Sequence, residues 1–84
     1  QAAAMPKLAT YLKDTVKASR IAVVWVNNDF GKGGRDAMLP ELQRRGIQVA
    51  LDVSTEQGQA DFTADAIRIR NANVDAVFVY LNED

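Results

Sequence analysis

Apolar positions along this 84-residue chain change their period five times, between helical spacing and unbroken or alternating runs. Leu8, Tyr11, Leu12 and Val16 recur at helical spacing, which predicts a first helix over residues 5–18 with Pro6 tolerated in its opening turn. Residues 21–26, IAVVWV, are an apolar run rich in β-branched side chains, the pattern of a parallel strand covered on both faces. Asp29 is placed to cap a second helix that runs to about Arg45 and ends at Gly46. Pro40 falls inside that helix, where its missing N–H and its ring predict a kink or a split. Residues 48–54 alternate, with Val49, Leu51 and Val53 on one side and Gln48, Ala50, Asp52 and Ser54 on the other, as at a sheet edge. A polar loop over residues 55–60 follows. Asp61 is then placed to cap a third helix with Phe62, Ala66 and Ile69 on one face and Asn71-Ala72-Asn73 at its exit. Residues 76–81 make a second fully apolar strand, and Asn82-Glu83-Asp84 lie just beyond it.

This αβαβαβ order predicts an α/β fold, a three-layer Rossmann-like (flavodoxin-like) sheet with parallel strands and right-handed crossovers. The strand that reads as central comes first and the one that reads as an edge comes second, so the strand order is 2-1-3. That order puts the second and third helices on opposite faces. Trp25 is expected beneath a helix, Tyr11 on the first helix's packed face, and Lys32 and Arg35 in solvent. The third strand would be a sheet edge, yet it is as apolar as the central one, and exposed apolar edges are aggregation hazards. Either another strand belongs beside it in a larger protein, making residues 1–84 one α/β segment of an incomplete lobe, or two copies associate there. A first residue other than Met fits an internal piece, and tag removal or processing fits it equally well.

Composition narrows the chemistry. Hydrophobic residues make up 48% and charged residues 25%, a balance that argues for a folded domain over disorder. The net charge of -1 leaves no basic excess for phosphates, so nucleic acid is not an expected partner. Cysteine and histidine are both absent, which removes disulfides, thiolate metal sites, the commonest metal ligand and the commonest general base. No metal site and no cofactor are expected. No apolar stretch approaches the roughly 20 residues of a membrane span, and the start lacks the pattern of a secretory signal.

Open parallel sheets bind ligands at the carboxyl ends of the strands where their order reverses. With order 2-1-3 that crevice lies between the ends of the first and third strands, lined by residues 27–33 and 80–84. The stretch VWVNNDFGKGGRD sits there. Gly31 and Gly33 satisfy the first part of the G-x-G-x-x-G dinucleotide fingerprint, but Asp36 occupies its last position, and Asp52, at ribose distance, is internal to its strand. No Gly-Lys pair with a following Ser or Thr makes a phosphate loop. Asp29 at the helix start repels pyrophosphate. The simplest account of the glycines is a tightly turned helix entrance, with Phe30 as an apolar plug above the sheet. Asp29, Asp36, Glu83 and Asp84 are carboxylates near the crevice, but such residues at helix starts and strand ends are usually caps or solvated. Without histidine or cysteine no nucleophile–base pair assembles, and Ser19 and Ser54 are badly placed for a Ser–Lys variant. A phosphoaspartate receiver shares the sheet order but needs an acidic pair that is missing here.

An ordered set of features carries a resemblance: an apolar strand, N-N-D-F-G-K-G, a helix leaving through R-R-G, a polar loop, D-F-T opening a helix, and D-A-V-F-V as a final strand. Over about residues 7–84 the chain resembles the type I periplasmic solute-binding proteins, the substrate-binding components of branched-chain amino acid ABC transporters. The resemblance implies a parent of two α/β lobes that close on a small solute, with this chain as the first half of the second lobe. It implies delivery of the solute to an ABC permease and no catalysis. It also implies a periplasmic or extracytoplasmic lipoprotein setting. The cleft candidates it implies are Asn28, Asp29, Phe30, Tyr80, Asn82 and Glu83. The family often has Tyr where this chain has Phe30, so packing remains and a hydroxyl contact does not. A ligand-sensing domain of a regulator or receptor with the same fold is the alternative; an unrelated flavodoxin-like enzyme and a self-associating αβ module are more distant ones.

Overall fold

The structure is a computed structural model and describes residues 4–81. Helix α1 spans Met5–Tyr11 and continues as a π-helical turn over Leu12–Val16, which Lys17 ends with a left-handed φ of 61°. The buried stripe of α1 is Met5 and Ala9, with Leu12 partly covered; Leu8, Tyr11 and Val16 are exposed. The expected inner face is thus rotated by about one position. Met5, Ala9 and Leu12 are also helically spaced, and the small Ala9 lets α1 lie close on the core.

Strand β1 (Arg20–Val26) is central, flanked in parallel by β2 (Gln48–Thr55) and β3 (Ala76–Tyr80), giving the order β2-β1-β3. Ile21, Ala22, Val23, Val24 and Val26 of β1 are all buried, as their unbroken apolar run requires. The register on β2 shifts between the pairs Ile21–Val49 and Ala22–Leu51, leaving Ala50 as an extra residue. This bulge overturns the expected alternation. Val49 joins Ile21 on one face, while Leu51, Val53 and Thr55 pair with Ala22, Val24 and Val26 on the other. Asp52 and Ser54 are then carried to the first face, opposite Val23 and Trp25.

Helix α2 (Asp29–Arg44) packs with α1 on the first face around Met5, Ala9, Ala18, Ile21, Val23, Met38, Leu42 and Ile47. Pro40 does not split it. Pro40 and Asp36, whose carbonyl would have received the missing N–H, are both exposed, so water can serve that carbonyl. The helix ends as predicted at Gly46, whose φ is 73°; Gly46 N–H donates to Gln43 O and Ile47 N–H to Leu42 O, closing a Schellman motif. Arg45 pairs with Glu41 at 2.8 Å and donates to Pro6 O and Thr10 Oγ1, tying α2 to α1.

Helix α3 (Thr63–Asn71) lies on the opposite face. Its Phe62, Ala66 and Ile69 side does turn to the sheet, but no α3 residue is buried. An open apolar hollow of about 240 Å³ separates that side from Val24, Val77, Val79 and Leu81. Asp61 is not the formal cap. It stands one residue earlier and accepts from Thr63 N–H and the Thr63 hydroxyl, which hold its carboxyl below the usual range, the hydroxyl bond being the larger cause.

At the amino end of the sheet, Asp75 accepts from Ser19 N–H at 2.8 Å, the Ser19 hydroxyl at 2.9 Å and Arg20 N–H at 3.0 Å. The two Ser19 bonds, and then that of Arg20, hold its carboxyl below the ordinary carboxylate range. A depressed folded pKa contributes stability that is present above the unfolded value near 4 and is lost as pH falls through the folded value. Asp75→Asn should therefore lower the melting temperature at pH 7 and make progressively less difference below pH 4. A melting difference between variant and parent that stays constant from pH 7 to pH 3 would contradict this.

Candidate functional site

The chain turns at the carboxyl end of β1 because Asn28 is extended, with φ -153° and ψ -179°. Asn27 N–H donates to Thr55 O at 2.7 Å, and Asn28 Nδ2 donates to Gln57 Oε1 at 3.1 Å, so the loops after β1 and β2 are joined. Asn28 Oδ1 accepts from Gly31 N–H at 2.8 Å and is the cap of α2. Asp29, expected to cap, is instead the first helical residue and is exposed at the positive end of the helix dipole. Adjacent Asn and Asp are equally good caps by type, and only the extended backbone at Asn28 decides between them. The glycines are not turn residues either. Gly31, Gly33 and Gly34 are all helical, and two of them are buried for lack of space: a Cβ on Gly31 would strike the Val26 carbonyl, and one on Gly34 would strike the ring of Tyr80.

Tyr80 ends β3 beside Trp25 of β1. Phe30 stacks on it with ring centroids 4.6 Å apart and planes 7° from parallel, and Phe78 continues the series at 6.0 Å. Phe30 remains 38% exposed. The two ends of the crevice therefore meet in an aromatic platform, a polarizable apolar surface suited to an aliphatic or aromatic side chain rather than to phosphate. Beside it, on the α3 side, a hollow of about 150 Å³ is lined by Val26, Thr55, Gln57, Gln59, Phe62 and Leu81. Among the expected cleft residues, the structure brings together Phe30 and Tyr80 and places Asn28 and Asp29 at the adjoining helix start. Asn82 and Glu83 lie outside the described residues. Among the described residues no group of acidic side chains is arranged to hold a metal ion, and no helix is long and apolar enough to cross a membrane.

A cluster that the sequence reading missed lies behind the platform. Arg35, expected in solvent, donates to Asp52 Oδ2 through Nη2 at 2.7 Å and Nε at 2.9 Å, and pairs with Asp36 at 3.0 Å. Its guanidinium lies 5.3 Å from the centre of the Trp25 ring, while Trp25 Nε1 donates to Asp52 Oδ1 at 2.6 Å. The hydrogen bonds to Asp52 are the main reason that Arg35 holds its proton more tightly than usual. Asp52 is thereby committed to a structural latch and is not placed to receive a ribose. The bulge at Ala50 is what carries it to this face, and no propensity scale marks it.

The whole chain, residues 1–84, matches the family described as periplasmic binding protein. A Leu/Ile/Val/Thr-binding protein of Salmonella typhimurium is 29% identical over 87% of this chain, which corresponds to 20% of the relative's length. Among solved structures, an ABC transporter substrate-binding protein from Sphaerobacter thermophilus superposes with a TM-score of 0.85 at 22% identity, over 94% of this chain and 22% of that one. A leucine-binding protein of Thermotoga maritima gives the same TM-score and identity over 93% of this chain and 22% of its own. The chain thus spans about a fifth of the length of the relatives it matches.

Proposed function

The chain belongs to the periplasmic binding protein family, and we propose that it forms the first half of the second lobe of a solute-binding protein. That parent captures a branched-chain amino acid, or a similar small carboxylate or amide, between two lobes and hands it to an ABC permease at the outer face of the membrane. Chemistry is not performed; closure is driven by contacts that the solute makes with both lobes at once. The observation that carries this reading is the stacked Phe30–Tyr80 pair, half open, at the carboxyl end of the sheet where the strand order reverses. The names of the relatives supply the solute class: Leu/Ile/Val/Thr for one and leucine for another.

Calorimetric titration of the complete protein that carries this chain with L-leucine, L-isoleucine and L-valine tests the reading. At least one should bind, and Phe30→Ala should weaken it about tenfold, the scale of one lost aromatic contact. Binding of none of the three would rule out the branched-chain amino acids as solutes, and a panel of small carboxylates and amides that also failed would sink the proposal.

In such a lobe a further strand would lie beside β3. In the 84-residue chain by itself β3 is the outer strand on that side and carries no charged residue, and a second copy can pair there. Sedimentation of the chain should show a concentration-dependent dimer, and a clean monomer across the soluble range would count against the pairing.

A further inference from the structure

We infer that Gly34 is a positioning residue for the solute-facing platform, through the slot that its missing side chain leaves for the ring of Tyr80. The inference rests on the functional reading above and names a residue outside the N-N-D-F-G-K-G stretch that carries the resemblance. Gly34 is buried inside the second turn of α2, and the atoms nearest to a Cβ built on it are Cε2, Cδ2 and Cζ of Tyr80, all at overlapping distance. The Cδ2–Cε2 side of the Tyr80 ring therefore lies over Gly34, in the space that a side chain there would fill. The same ring is stacked with Phe30 at 4.6 Å and 7°. Phe30 projects from the first turn of the same helix and Tyr80 from the end of β3, so the slot sets how close the two elements come and how the rings align. Gly33, next in the chain, has no atom within 4 Å of the same construction and stands as the internal control.

Nuclear magnetic resonance of the 84-residue chain reads the platform without any solute. Stacked rings shift each other's protons upfield, so Gly34→Ala should move the Phe30 ring resonances toward their unstacked positions, while Gly33→Ala leaves them in place. In the complete protein, Gly34→Ala should weaken L-leucine binding about tenfold. Against a Tyr80→Ala background the collision is gone, so Gly34→Ala should lower the melting temperature there by much less than in the wild type; equal losses in the two backgrounds would overturn the slot. If Gly34→Ala fails to fold and Gly34→Ala/Tyr80→Ala folds, the collision with the Tyr80 ring is supported; failure of both would overturn it. Unchanged Phe30 resonances in a folded Gly34→Ala chain would overturn the inference. Lost stacking with unchanged L-leucine affinity would overturn the platform's role in binding. A wild-type protein that binds none of the three amino acids removes them as solutes, and the resonance measurements then judge the slot separately.

Discussion

Gly31→Ala is expected to destabilise the chain by at least about 3 kcal/mol, the upper end of overpacking penalties. The Cβ would enter the space of the Val26 carbonyl, a backbone atom with nowhere to retreat. That carbonyl accepts from Asn28 N–H at 2.9 Å, and its residue is paired to Thr55 in the sheet. Moving it would disturb the turn, the cap and the end of β1 together. For a domain of this size total stability is roughly 4–13 kcal/mol, so the loss is a large share, and the melting temperature should fall by more than about 10 °C. Gly33→Ala, two positions on, should do the opposite. It meets nothing within 4 Å and exchanges a poor helix former for the best one, a gain of up to about 1 kcal/mol. Thermal unfolding followed by circular dichroism separates the pair. Shifts of the same sign would refute the packing argument.

Leu42→Ala should cost about 2–5 kcal/mol by removing a fully buried side chain and leaving a cavity. Leu42 has no exposed surface and packs in the core between α1, α2 and the sheet. Its carbonyl also receives Ile47 N–H in the Schellman closure, so relaxation around the cavity is resisted by the helix end. Val79→Ala is the matched comparison. Val79 is 54% exposed on the open α3 face, and its truncation should stay within about 0.5 kcal/mol, as surface changes do. Urea titration gives both numbers. Equal midpoints for the two variants would mean that the α1–α2 face is not the core of this chain.

Much of this architecture was legible because burial period and element length agree along most of the chain. The β-branched run of β1 is buried on both sides, and Gly46 ends α2 where its φ of 73° demands a residue without Cβ. The strand order followed from comparing two apolar runs with one alternating run. Three things were not legible. Asn28 and Asp29 are chemically equivalent caps, and the choice depends on a backbone conformation that the sheet imposes. Leu8 and Tyr11 outweighed Ala9 by hydrophobicity, yet close helix packing selected the small residue. The bulge reversed the facing of β2 after Val49, and with it the environment of Asp52, Arg35 and Trp25. The topology put residues 27–33 and 80–84 at one crevice, and Phe30 and Tyr80 do meet there, while Gly31 and Gly34 were misread. Their role is clearance, which depends on partners distant in sequence.

The bulge at Ala50 also gives the sheet a growth direction. An outer strand with an extra residue is bent and twisted locally, so its free edge is a poor template for another chain. The latch of Arg35 on Asp52 adds charge beside it. At the other margin, β3 pairs in uninterrupted register with β1 and carries no charged residue. Recruitment of a further strand should therefore be polar, proceeding at β3 rather than at β2. Two copies joined through β3 would expose only bulged margins, so such a union should terminate itself rather than seed a fibre.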